Sequence, residues 1–180
     1  MTLTAQRLSL RHFRPEDAPV FAAYRSEPEV ARFQAWESPF PLALAEEFIR
    51  ELSALDAAEP GWFQYAIDVD GVLVGDVGVN LHENRRQAEI GYTVATAHQG
   101  NGYATEAVGR VVEHLFAERG LHKVSAECDA RNERSAKLLA RLGFRQEGHL
   151  VEHTWIKGEW TDDLLFGLLA REWRPTERSR

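Results

Sequence analysis

The sequence predicts an α+β fold built on a mixed, mostly antiparallel sheet, and three properties of the chain support this. Apolar residues recur at helical spacing in some segments and alternate with polar residues in others, which indicates both helices and strands. A strand–helix–strand unit in the second half predicts a central parallel pair, since such crossovers join parallel strands. Short turns join flanking strands on both sides of that pair into antiparallel hairpins, and the predicted helices would flank the sheet.

The first third of the chain begins with a predicted strand at residues 7–13, where apolar and polar residues alternate. Pro15, Glu16 and Asp17 then favour the first turn of a helix, because proline fits the first helical position and acidic groups stabilise the positive end of the helix dipole. A loop with two prolines is expected at 34–41. The predicted helices of this region cover residues 14–24, 28–33 and 42–57.

The middle of the chain changes to strand periodicity after Pro60 and Gly61. Asp70-Gly71 is a tight-turn sequence that joins two strands into a hairpin. A third strand, a helix and a fourth strand follow and form the predicted parallel crossover. The segments are strands at 62–69, 72–80, 88–95 and 123–129, and a helix at 102–118.

The C-terminal part is predicted to contain one helix and a long hairpin. The helix covers 132–142 and ends at Gly143, which suits the left-handed conformation that often caps a helix. Two antiparallel strands fill 144–170, with a turn at Lys157-Gly158. Because the chain shows no internal repeat, low-complexity tract or linker, one domain is expected over residues 1–180.

Composition argues against several classes of protein. The 180 residues include 44% hydrophobic and 27% charged residues, which is typical of a globular protein rather than a disordered chain. The net charge of −7 argues against a nucleic-acid partner, and no apolar segment reaches the roughly 18 residues that a membrane span needs. Cys128 is the single cysteine, so no internal disulfide forms and a reducing, cytoplasmic location is expected. The seven histidines show no paired ligand spacing, which predicts no metal site.

The most informative segment is the loop between the strand at 88–95 and the helix at 102–118. Gly100 and Gly102 let the main chain approach a ligand closely, and the N–H groups of the first helical turn favour an anion, so a pyrophosphate is the expected ligand. A nicotinamide-dinucleotide fingerprint would place glycine or alanine where Thr105 stands. The loop also lies past mid-chain, a placement that disfavours the alternative of an NAD(P)-binding oxidoreductase.

Two motifs resemble those of a known family. Gln99-x-x-Gly102-x-Ala104 resembles the Q/R-x-x-G-x-G/A pyrophosphate motif of the Gcn5-related N-acetyltransferases, the GNAT family. Asn132-x-x-Ser135, followed by the sequence Leu-Gly-Phe, resembles a second signature of that family at the expected separation. Further segments are similar to the RimJ/RimL-type branch, which acetylates ribosomal-protein N-termini. These segments are residues 7–11, 15–17, 88–92, 158–162 and 172–173.

This resemblance implies an acyltransferase that uses acetyl-CoA as co-substrate, without a metal, and transfers acetyl directly to a primary amine in a ternary complex. The loop and the first helical turn would hold the pyrophosphate, and the end of strand 88–95 would pair with the pantetheine arm. Gly91 would mark a bulge that opens a slot beside that strand. The residues assigned to the coenzyme are Thr93, Val94, Gln99, Gly100, Asn101, Gly102, Tyr103, Ala104, Thr105, Asn132 and Ser135.

Acetyl transfer requires a group that takes a proton from the amine, because only the neutral amine attacks and a lysine-type amine has a pKa near ~10.4. Glu89 is the first candidate base, since its position resembles that of the glutamate base in histone-acetylating relatives. Glu152 is the second, because regular alternation puts it on the same face as Thr154, where the ribosomal branch would carry its base. Ser135 is expected to donate a hydrogen bond to the leaving sulfur.

The acceptor site is expected in the variable parts of the chain, above all around the loop at 34–41. Phe33, Trp36 and Phe40 would form an apolar wall, and Glu37 would attract a cation. The acidic net charge favours a positively charged acceptor, either a protein N-terminus or a small amine. A Trp-rich C-terminal hairpin could also support a homodimer. A non-catalytic acyl-CoA sensor is the second alternative function.

Overall fold

The computed structural model describes residues 2–174, and a mixed sheet forms the centre of this part of the chain. Its eight strands are β1 (Leu3–Thr4), β2 (Ser9–Arg11), β3 (Gly61–Val69), β4 (Val72–Leu81), β5 (Gln87–Val94), β6 (Lys123–Asp129), β7 (Arg145–Ile156) and β8 (Glu159–Leu169). They lie in the spatial order β1-β2-β3-β4-β5-β6-β8-β7. β5 and β6 are parallel and the other described neighbours are antiparallel, so the predicted α+β class with a central parallel pair is confirmed.

Five α-helices flank the described sheet. They are α1 (Ala18–Arg25), α2 (Pro28–Ala31), α3 (Leu42–Ser53), α4 (Tyr103–Glu113) and α5 (Glu133–Arg141). α4 forms because its apolar residues recur on one stripe, and Ala107, Val108, Val111 and Val112 on that stripe are buried. Across residues 2–174, no helix combines the length and the apolar character needed to cross a membrane.

The predicted strand at 7–13 is wrong in its extent. The chain turns back at Arg7, where the N–H of Ala5 donates to the carbonyl of Leu8 at 2.9 Å, and only residues 9–11 belong to β2. The preceding strand β1 has two residues, which is too short to show any alternation in the sequence.

Two predicted helices differ from the structure, one in where it ends and the other in the type of its last turn. Residues 42–57 stay helical only to Ser53, because the N–H of Ala54 donates to Glu51 at 3.1 Å and tightens the last turn. The predicted helix at 102–118 changes at His114 into a wider π turn, in which Arg119 donates to the carbonyl of His114 at 3.0 Å.

The two faces of the sheet carry separate hydrophobic clusters. Ala88, Ile90 and Val94 of β5 pack in the cluster that contains the buried stripe of α4, so we name this side the α4 face. Alternation directs Glu89, Gly91 and Thr93 to the opposite side. We name that side the α1 face, because the second cluster joins α1 and α3 to Ala66 of β3 there. Side chains of β5 therefore alternate between two different environments.

Candidate functional site

A slot opens where β5 and β6 separate. The parallel pairing joins residues 87–90 of β5 to residues 123–126 of β6 and stops there. β5 nevertheless stays paired with β4 to Val94, and β6 stays paired with β8 to Asp129. The carbonyl of Ala88 points toward β6, because it accepts a hydrogen bond from Ser125 Oγ at 3.4 Å. The same alternation turns the peptide groups of Tyr92 into the slot, where an extended ligand can take the place of a strand.

Gly91 stands at the point of separation. A Cβ atom at this position would meet nothing within 4 Å, so the α1 face is open beside it. The predicted bulge at Gly91 is wrong, because its register with Gly78 of β4 is regular. The slot arises instead because β5 follows β4 while β6 follows β8.

A cradle of main-chain N–H groups lies at the end of the slot, between β5 and α4. Gly100 and Gly102 have φ of 80° and 82°, left-handed values that L side chains rarely adopt. Gly102 is the N-cap of α4, and the first helical hydrogen bond runs from the N–H of Glu106 to its carbonyl at 3.1 Å. The N–H groups of the residues between them therefore have no acceptor within the helix, which is the arrangement that binds phosphate.

The charge of Glu106 would oppose an anion at this helix end, and Arg7 compensates it. Arg7 donates from Nε to Glu106 Oε2 at 2.7 Å and from Nη1 to the carbonyl of Asn101 at 2.9 Å. Its guanidinium also lies 5.2 Å from the centre of the Tyr103 ring. The turn between β1 and β2 thus fixes the loop and supplies a positive charge beside it.

Gln99 connects the loop to both neighbouring elements. Its Nε2 donates to the carbonyl of Val94 at 2.9 Å, and its Oε1 accepts from Arg134 of α5 at 3.0 Å. The Asn101 side chain donates to the carbonyls of His98 and Gln99 at 3.2 and 3.3 Å. The side chains of Gln99 and Asn101 therefore stabilise the conformation of the loop through hydrogen bonds to its carbonyls and to Val94. A phosphate would be bound by the main-chain N–H groups.

The N-terminus of α5 lies on the other side of the slot. Asn132 caps the helix by accepting a hydrogen bond from the N–H of Ser135 at 3.2 Å. The hydroxyl oxygens of Ser135 and Tyr92 are 2.7 Å apart. Burial raises the pKa of the Tyr92 phenol, so this group stays protonated at neutral pH. Tyr92 was not among the predicted site residues. Strand alternation counted from Ala88 nevertheless predicts that its peptide groups face β6.

Cys128 of β6 is half-buried, and burial raises the pKa of its thiol. The thiol form is a poor nucleophile, which agrees with a packing role. Among the described residues, no group of three or more His, Cys, Asp and Glu side chains is arranged to hold a metal ion.

Carboxylates gather on the α1 face beside the slot. Glu89 is half-buried and pairs in register with Ser125, one residue before the strands separate. Partial desolvation, with the charges of Asp163 and Glu89, raises the pKa of Glu127 on β6. Asp163 is buried and accepts a hydrogen bond from Thr154 at 2.5 Å. Glu127 and Asp163 were missed by the sequence analysis, because only the β6–β8 pairing brings them together.

Glu152 lies in a bulge of β7, and the alternation expected between it and Thr154 is wrong. The register with β8 shifts between Leu150 and Thr154, so extra residues interrupt the strand. Glu152 has a φ of 47°, its side chain is exposed, and its N–H donates to Asp162 at 2.9 Å.

The predicted acceptor residues do not form one apolar wall. Trp36 and Phe40 are half-buried against the guanidinium of Arg25, at 4.0 and 5.4 Å from their ring centres. Phe33 instead lies near Arg32 and Arg131, and Glu37 is exposed. Two aromatic residues of the loop at 34–41 therefore pack on the guanidinium of Arg25 beside the α1 face. The sequence pattern did not indicate this cluster.

Comparison with known proteins gives a consistent result. Residues 7–145 match the family model described as an acetyltransferase (GNAT) domain. N-acetyltransferase p20 of Bacillus licheniformis is 33% identical over 175 residues, which cover 96% of this chain and 98% of that protein. The ribosomal protein uS5-alanine N-acetyltransferase of Escherichia coli (strain K12) is 34% identical over 86 residues, 48% of this chain and 44% of that protein. The solved structure of Mycobacterium smegmatis RimJ in complex with CoA-disulfide has a TM-score of 0.81 at 28% identity, covering 96% of this chain and 88% of that one.

Proposed function

The chain belongs to the GNAT acetyltransferase family, and we propose that it transfers the acetyl group of acetyl-CoA to a primary amine of a protein N-terminus or a small molecule. The observation that carries this proposal is the slot between β5 and β6, which ends at the N–H cradle of α4. Family membership overturns the NAD(P)-binding oxidoreductase that the glycine loop alone left open.

The residues around the cradle fit a pyrophosphate. Left-handed glycines expose the main chain, Arg7 neutralises Glu106, and Arg134 adds a second positive charge through Gln99. The slot-facing peptide groups of Tyr92 and the N–H of Val94 would take the pantetheine arm, whose amides can pair with the strand edge. The peptide groups of Thr93 alternate toward β4, and the carbonyl of Val94 is held by Gln99. RimJ of Mycobacterium smegmatis, which is similar to this chain, was solved with CoA-disulfide, and this supports a coenzyme in the slot.

Direct attack of the neutral amine on the thioester carbonyl would form the new C–N bond as the C–S bond breaks. We assign Glu89, alone or through a water, as the acceptor of the amine proton, because it stands where β5 and β6 separate on the open α1 face. Ser135 would donate a hydrogen bond to the departing sulfur, and Tyr92 would hold the serine hydroxyl in place. Glu152 remains the second candidate base, in the bulge of β7.

A CoA-release assay with acetyl-CoA and a panel of peptide N-termini, polyamines, amino acids and aminoglycosides tests this function. We expect amine-dependent CoA release and a stoichiometric acetyl-CoA complex by calorimetry. Acetyl-CoA binding with no turnover on any amine would favour a non-catalytic acyl-CoA sensor. Failure to bind acetyl-CoA would contradict the proposed function altogether.

The base assignment is tested by Glu89→Gln, which keeps the shape of the side chain but cannot take a proton. We expect kcat to fall by about 10² or more, with the Kd for acetyl-CoA unchanged, since general base catalysis typically contributes that much. Glu152→Gln is the matched variant. A large loss of kcat in Glu152→Gln, with Glu89→Gln near wild type, would reverse the assignment.

A further inference from the structure

Trp62, the second residue of β3, is a tryptophan on the α1 face of the sheet. Its neighbour Phe63 belongs to the cluster on the α4 face, so strand alternation directs Trp62 to the opposite side. Trp62 is 48% exposed. An indole with about half of its surface in contact with water gains free energy from any apolar group that covers it.

The indole lies over a glycine of the neighbouring strand. Atoms Cζ3 and Cε3 of its six-membered ring are 3.3 and 3.5 Å from the position that a Cβ of Gly78 would occupy. Trp62 itself pairs in register with Asn80, two residues further along β4. The ring therefore leans along the sheet to the level of Gly78, where no side chain blocks it.

A second glycine continues this level of the sheet toward the slot. Gly78 pairs in register with Gly91 of β5, and opposite residues of such a pair have Cβ positions about 4.5–5.5 Å apart. A Cβ at Gly91 would meet nothing within 4 Å. The ring edge of Trp62 therefore lies more than 4 Å but at most about 9 Å from that position. We name the open strip over Gly78 and Gly91, with Trp62 at its side, the glycine trough.

The glycine trough begins beside the proposed reaction centre. Glu89, the assigned base, precedes Gly91 by two residues and lies on the same face. Two glycines and an indole, all uncharged, line the trough, whereas Glu127 of β6 and Asp163 of β8 lie across the slot. An acceptor whose amine stands at Glu89 would therefore extend an apolar part over the trough.

We propose that Trp62 determines acceptor specificity by packing against an apolar carbon segment that carries the reacting amine and lies in the glycine trough. This inference rests on the proposed function and narrows its substrate class. The preferred acceptors carry several methylene groups or an aromatic ring next to the amine, because short or strongly polar amines would leave the indole uncovered. Full burial of one methylene group changes an equilibrium about fourfold, so even partial cover of the indole is measurable.

A series of straight-chain amines from ethylamine to hexylamine tests the proposal, because their pKa values are nearly equal and only the apolar length differs. We expect wild-type kcat/KM to rise at least about tenfold along the series. In Trp62→Ala, the value for hexylamine should fall at least about fivefold and that for ethylamine less than about twofold, with the Kd for acetyl-CoA unchanged. For an amine that is not turned over, its Ki against the best acceptor of the CoA-release panel replaces kcat/KM.

Gly91→Ala tests the glycine trough without changing Trp62. The folded chain has room for the added Cβ, but this methyl group would occupy the trough. We expect hexylamine to lose a larger share of its kcat/KM than ethylamine, with little change in melting temperature. Trp173→Ala is the matched control, because Trp173 packs near Phe116 in the cluster on the α4 face. It should leave the dependence on chain length unchanged.

Two results would overturn the proposal: a wild-type kcat/KM that does not depend on chain length, or equal losses for ethylamine and hexylamine in Trp62→Ala. So would a larger kcat/KM for hexamethylenediamine than for hexylamine that is lost in Trp62→Ala, since the indole would then bind a second ammonium group. If the wild type acetylates another amine of the panel while no alkylamine is a substrate or an inhibitor, the inference fails and the proposed function stands. A wild type that acetylates no amine contradicts the proposed function itself.

Discussion

At the scale of the residue, Asp76 couples folding to pH. Burial raises its pKa above the ordinary value of 3.8, so the folded chain holds this proton more tightly than the unfolded chain does. Its contribution to stability is therefore full below pH 3.8 and is lost as pH rises through the folded-state pKa.

We expect the unfolding free energy of wild type minus that of Asp76→Asn to decrease as pH rises above 3.8, the ordinary pKa of this carboxyl. Urea unfolding of both proteins at each pH measures the difference, and the other titrating groups cancel because both proteins share them. A difference that is flat or increases with pH would contradict the raised pKa.

Short motifs predicted some single residues of the site, whereas long-range packing decided others. Gly102 and Asn132 follow from local rules, because a left-handed turn and a helix cap each depend on a few neighbouring residues. Arg7 and Glu106 are 99 positions apart, and no local pattern pairs them. The same is true of Arg25, whose aromatic box is assembled from α1, α3 and the loop at 34–41.

At the scale of the element, the N-terminus of α4 depends on the backbone of Gly102. An alanine there would hold a φ of 82° against its preference, at a cost of about 1–2 kcal/mol, and its Cβ would lie 3.2 Å from Arg7 Nη2. We expect Gly102→Ala to weaken acetyl-CoA binding at least tenfold by calorimetry, because the shifted guanidinium would release Glu106 and the loop.

Gly120→Ala is the matched control for this prediction. Gly120 has a φ of 67°, and a Cβ there would meet nothing within 4 Å. It should lower the melting temperature by a similar amount while leaving the Kd for acetyl-CoA unchanged. Equal affinities of the two variants would show that the turn of Gly102 does not shape the coenzyme site.

Periodicity predicted most elements and the parallel pair, because burial of one face imposes a repeat that the residues must follow. It failed where the geometry departs from that repeat. β7 is the clearest example, since the bulge between Leu150 and Thr154 changes which residues share a face, and the sequence carries no mark of it. The opening between β5 and β6 was expected from family resemblance, but the register that produces it is a property of the whole sheet.

At the scale of the whole molecule, two surfaces besides the slot have a distinct chemical character: the β7–β8 hairpin and the α1 face. Trp155 and Trp160 of the β7–β8 hairpin are 58% and 56% exposed and contact each other edge to face. The homodimer expected from this hairpin stays a prediction. On the α1 face, Glu89, Glu127 and Asp163 add a local negative field to a chain whose net charge is −7.

This field should attract cationic acceptors, and salt should weaken the attraction. We expect kcat/KM for a peptide with a free N-terminus and a lysine at its third position to fall several-fold between about 10 mM and about 0.1 M salt, as the Debye length shrinks from about 30 to about 10 Å. The same peptide with glutamate in place of lysine should fall less, which controls for general salt effects on the enzyme. Glu127→Gln should reduce the salt dependence for the lysine peptide. If salt changes kcat/KM equally for the two peptides, the acidic field does not guide the acceptor.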